Sequence, residues 1–164
     1  MWNKLARISG IVAVVLVGGA VAYAAAPTTD VVDIAVGSKD HTTLVVAVKA
    51  AELVDSLKNP GPITVFAPTN AAFDKLPKGT VESLLKPEKK GDLTKILYHH
   101  VVPSTYQVKW LKNGTTLGAV DGGKLTIKVE GDTVYVGGAK ILASVPASNG
   151  IVHVIDTVLL PAAK

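Results

Sequence analysis

The stretch "NGIVHVIDTVLLP", residues Asn149–Pro161, decides how the chain folds. Side chains alternate across a strand, so Ile151, His153 and Ile155 share one face while Val152 and Val154 take the other. A strand that is apolar on both faces is covered on both, which places this one in the middle of the molecule. His153 reads as a core histidine bonded to backbone, because a buried polar ring needs a partner.

Working back from it, "KLTIKVE" (residues 124–130) alternates Leu125, Ile127 and Val129 with Lys124, Thr126 and Lys128, giving one buried and one wet face. Gly131-Asp132 separates it from "TVYVGG" and predicts a two-residue hairpin loop with glycine first. The first half is helical in pattern. Asp30 caps Val31, Ile34 and Ala35; Thr42 or Thr43 caps Leu44, Val48 and Ala51; Thr69 or Asn70 caps "AAFDKL", which Pro77 stops. Residues 79–97 give two further short helices, the second carrying Leu93, Ile96, Leu97 and His100 on one stripe. Between the helices, Ile63–Ala67 is a short β-rich run after the turn cluster Asn59–Pro62. Helices first and an antiparallel sheet second predict an α+β fold in one domain.

The first 24 residues have the anatomy of a secretory leader: Lys4 and Arg7, then the apolar run Ile11–Val21, then Ala22-Tyr23-Ala24. Cleavage is expected after Ala24, with Ala26 as the alternative, leaving a domain over residues 25–164. The apolar run is short for a membrane span, which takes about 20 residues, so membrane contact is expected only through the leader before cleavage. Removing it takes two of the 17 basic residues and none of the 13 acids, for a mature net charge of +2. Arg7 is the only arginine, and one Trp, two Phe and three Tyr follow the leader. Without forked guanidinium donors or stacking platforms, nucleic-acid binding is set aside. The chain has no cysteine, which excludes disulfides and thiolate metal sites.

The candidate chemistry is sparse. "GAVDGGK" (residues 118–124) has phosphate-loop spacing, but Leu125 replaces the magnesium-binding hydroxyl and a strand follows where a helix is needed, so it reads as a turn between strands. "YHHVVP" (residues 98–103) sets His99 beside His100, yet consecutive side chains diverge by about 100° on a helix and face opposite ways on a strand. No cofactor, metal site or catalytic set is expected. A metal-dependent hydrolase would need His99 or His100 to meet His41, His153, Asp121 or Asp156 in space. "KPEKK" (residues 86–90) is a solvated junction, and Asn113-Gly114-Thr115 fits a glycosylation acceptor in a eukaryotic host.

"TVFAPTNAAFDKLP" (residues 64–77) and the stretch at 149–161 together resemble the two signature segments of the fasciclin (FAS1) domain, and "LTKILYHHVVP" between them resembles that family's tyrosine-histidine stretch. The match runs from about Thr29 to Pro161 and is similar to small secreted single-domain bacterial members. The resemblance implies a β-sandwich-like wedge with helices packed at one side and end. It also implies an extracellular, periplasmic or cell-surface protein used in adhesion, without catalysis. Aligned on "HVVP", the family histidine falls on His100 and its tyrosine on His99, with Tyr98 one place early. Ser144-Val145 stands where integrin-binding metazoan members carry an Asp-Ile pair, and no Arg-Gly-Asp occurs.

These residues, Tyr98, His99, His100, Ser144 and Val145, are the candidate partner-binding positions. The expected partner is an extracellular or envelope protein or glycan, with weak self-association besides. The alternative function is a carrier of an apolar small molecule, lipid or pigment, in the same fold.

Overall fold

The structure is a computed structural model that describes residues 12–17, 20–25 and 27–161. The basic start of the leader and the Ala26 cleavage position lie outside the described residues. Val12–Val17 (β1) and Ala20–Ala25 (β2) pair with each other as an antiparallel ladder.

Val31–Val36 (α1), Thr42–Ala50 (α2) and Val54–Lys58 (α3) come first, followed by the strand Ile63–Pro68 (β3). Asn70–Asp74 (α4), Thr80–Leu84 (α5) and Lys90–His99 (α6) lead into Val101–Val102 (β4). Then come Thr116–Gly118 (β5), Lys124–Glu130 (β6), Thr133–Val136 (β7), Ala139–Ala147 (β8) and Gly150–Ile155 (β9). Among the described residues, seven strands form one sheet in the order β4-β3-β9-β8-β7-β6-β5. The α+β expectation holds. The expectation of an antiparallel sheet is corrected: β3 and β9 run parallel, Phe66 opposite His153, and make the sheet mixed.

β9 lies between β3 and β8, as its two apolar faces require. Val152 joins the core beneath α1, α2, α3 and α6, with Leu44, Ala47, Leu57, Leu93 and Leu97. Ile155 joins a second core, with Phe66, Leu117, Leu125, Ile127 and Val136, inside the curl of the sheet. β3 divides in the same way, Ala67 facing the helices and Phe66 the curl. The two central strands thus separate two cores and supply both. The predicted hairpin is present, with Glu130 opposite Thr133 and Gly131 at φ 60, where a side chain would be strained.

Helix starts depend on partners far away in sequence. Asp30 caps α1 as expected, its carboxylate accepting from the amides of Val32 and Asp33. α2 is not capped by Thr42 or Thr43. Its orphan Thr43 amide donates instead to the side chain of Asn70, while Thr69 caps α4. Asn149 performs the largest such task. Its carbonyl accepts from Val31 N–H at 3.1 Å and its amide donates to the carbonyls of Leu57 and Asn59, joining α1, the end of α3 and the β8–β9 turn. The next residue must be glycine, since a Cβ on Gly150 would lie 1.8 Å from the carbonyl oxygen of Ile63.

Candidate functional site

α6 ends on the histidine pair, and the two rings diverge as consecutive helical side chains must. His100 closes the helix. Its Nδ1–H donates to the Ile96 carbonyl at 2.8 Å and its Nε2 accepts the Leu159 amide at 2.8 Å. Both contacts require the neutral ring. Burial lowers its pKa to about 4, the Ile96 hydrogen bond opposing and the neighbouring His99 assisting.

His99 turns the other way. Its Nδ1 lies 3.0 and 3.1 Å from the two carboxylate oxygens of Asp121, and both side chains are more than nine-tenths buried. Burial alone would raise the Asp121 carboxyl. The amide of Gly123, donating at 2.8 Å, and the His99 ring outweigh it and hold the carboxyl below its usual range. Asp121 is therefore ionised, and Nδ1 carries the proton of the contact. Gly123 is needed here because a Cβ would stand 2.5 Å from the His99 ring.

His153 is buried and stacked on Phe66 with centroids 5.5 Å apart. Its Nε2–H donates to the Tyr106 carbonyl at 2.6 Å, and the Ser144 hydroxyl lies 2.7 Å from Nδ1. Burial lowers its pKa, as it does for His41. Thr64 adds a second tie to the same loop, donating to the Ser104 carbonyl and accepting from Tyr106 N–H. The ring is a structural post between the sheet and residues 104–106.

The five candidate positions therefore have different settings. His99 and His100 are buried, Tyr98 is half-buried, and Ser144 and Val145 are exposed. The pairing of His99 with Asp121 is one of the meetings that metal chemistry would need. Among the described residues, however, no group of three His, Cys, Asp or Glu side chains could hold a metal ion. Two surface features are new. Leu142–Pro146 of β8 is exposed throughout; it pairs with β9, but β7 reaches only as far as Lys140, so among the described residues the other edge of this segment has no strand partner. The apolar Leu142 beside Ser144 was the signal for it. The second feature is a pocket of about 220 Å³ between α1, α2, α3 and α6, walled by Val31, Val48, Leu53, Leu57 and Leu97. Its lining is indistinguishable from ordinary core residues in sequence.

The geometry is that of a packed α+β module in which most buried polar groups serve the fold. A model of the fasciclin domain matches residues 39–161, and the chain belongs to that family. It is 51% identical over 132 residues to protein sll1483 of Synechocystis sp., covering 80% of this chain and 73% of that protein. It is 41% identical over 131 residues to a second Synechocystis protein, sll1735, covering 80% of this chain and 97% of that one. The structure of a FAS1 domain pair from the insect cell adhesion molecule Fasciclin I superposes with a TM-score of 0.69 at 18% identity, over 84% of this chain and 52% of the other. That likeness concerns the fold.

Proposed function

We propose that the chain is an exported adhesion or interaction module without catalytic activity, acting in the periplasm, outside the cell or at its surface. Residues 1–24 serve as a cleaved leader. The observation that carries this reading is the exposed β8 segment, where Leu142 and Val145 stand 51% and 36% exposed beside a strand edge that no other strand among the described residues covers. Unpaired edges and exposed apolar side chains are the raw material of protein contacts. Pro146 lacks an N–H and works against addition of a further strand, so the side chains of Leu142, Ser144 and Val145 make the contact with an envelope protein or glycan. Membership of the fasciclin family agrees with it. The test is binding of the mature domain to envelope and matrix preparations. Leu142→Lys with Val145→Lys should abolish binding and leave the melting temperature within a few degrees. A broad screen with no binding above a denatured control removes the proposal.

The pocket supports a second reading, a carrier of an apolar small molecule. Cavities of about 150 Å³ hold a benzene-sized guest and drug-sized ligands need about 300–1,000 Å³. At about 220 Å³ the pocket takes one ring or a short acyl stretch. Lys49 at its lining suits an acidic head group, whereas Lys58 is held by Asp30 and Asp33. Organic extraction of protein from its native host, followed by mass spectrometry, tests this; a clean extract excludes it.

A further inference from the structure

The His99–Asp121 pair opens on a cleft of about 460 Å³, lined by Lys95, His99, Asp121, Gly122, Gly123 and Lys124 over an apolar floor that includes Leu159. Three observations converge there. Asp121 engages Nδ1 of His99, while among the described residues the remaining nitrogen, Nε2, makes no hydrogen bond and is not closed off from solvent. That atom belongs to a side chain more than nine-tenths buried that nevertheless lines the cleft. Lys95 lies one helical turn before His99, on the same face of α6, and Lys124 follows the glycine against which the ring packs. Neither ammonium forms an ion pair among the described residues.

We propose that this cleft binds the oxyanion group of a small acidic ligand, held between His99 Nε2–H and the ammonium groups of Lys95 and Lys124. Asp121 positions the ring by accepting from Nδ1, which leaves Nε2 as the atom presented to the ligand, and the liganded ring donates from both nitrogens. A metal ion is the poorer occupant. One imidazole nitrogen is a single ligand, and the two lysines repel a cation. The Gly122-Gly123 turn brings backbone close to the ligand position, and the apolar floor takes the body of the ligand. Inorganic phosphate and a sugar carboxylate share the recognised chemistry, and the test separates them.

The experiment is an NMR titration of the mature ¹⁵N-labelled protein with sodium glucuronate and, separately, inorganic phosphate, at constant ionic strength. Saturable shifts at the His99 ring nitrogens and the Gly122 and Gly123 amides are expected. Response to glucuronate alone identifies a carboxylate ligand, and to phosphate alone a phosphoryl one. Lys95→Ala and Lys124→Ala should each weaken binding about tenfold. Both positions are exposed, so these variants keep the fold where a His99 variant could lose it. Absence of saturable shifts with both ligands overturns the proposal, as does an unchanged titration in the double lysine variant.

Discussion

His100 Nε2 accepts the amide of Leu159 while its Nδ1–H donates to the Ile96 carbonyl, so one imidazole joins the last turn of α6 to the segment that follows β9. Replacing it with alanine strands a buried amide and a carbonyl and leaves a void. His100→Ala should destabilise the domain by about 2–4 kcal/mol in urea unfolding. A loss within about 0.5 kcal/mol would mean that the ring is not the tie described.

The same ring makes stability depend on pH. Burial depresses its folded pKa to about 4 from an ordinary value of 6.5. The unfolded chain therefore binds more protons between those values, and stability falls as pH drops from about 6.5 to about 4. Above 6.5 this contribution is flat. The shift corresponds to about 3 kcal/mol at full development. His41 and His153, also lowered by burial, act in the same direction. Urea unfolding at pH 7.5, 5.5 and 4.5 should show the decline starting above the range where carboxylates titrate. A flat profile down to pH 5 would contradict it.

Gly150→Ala should be among the most damaging single-methyl changes in the chain, because its Cβ would meet the Ile63 carbonyl within the parallel β3–β9 pair. A cost above about 3 kcal/mol is expected. Gly61→Ala is the matched control. Nothing lies within 4 Å of a Cβ there, and the change should stay within about 0.5 kcal/mol. Similar melting temperatures for the two variants would refute the contact.

Asn149→Ala removes three hydrogen bonds to main-chain groups of α1 and α3. A cost of about 2–4 kcal/mol is expected. Amide exchange should accelerate first at Val31, whose N–H loses its acceptor. Uniform acceleration across the sheet, with Val31 no faster than the rest, would argue against a local tie.

Much of the fold was legible because burial on both faces leaves apolar residues in both registers of a strand, as in Ile151–Ile155. Short-range grammar also held, in the Asp30 cap and the Gly131 loop. Pairing sense was not legible, since β3 and β9 carry the same kinds of residue whether they run parallel or antiparallel. Nor was the support of α2 by Asn70, because Asn70 stands where a cap for its own helix is equally natural. The candidate site was the least readable part. His99 and Asp121 are 22 positions apart, and Asp121 sits in a segment that reads as a plain turn. Lys95 and Lys124 look like any solvated lysine until the fold brings them to one cleft.

Among the described residues β9 is the last strand in sequence and yet lies inside the sheet. A chain that stops before Gly150 loses more than an edge: the sheet is cut in two, β3 keeping only β4 and β8 only β7, and each core loses an anchor. Synthesis from the amino terminus therefore cannot lay this domain down piece by piece. The contacts that make it self-supporting join distant parts of the sequence, which slows their formation, and they arrive only with the final segment.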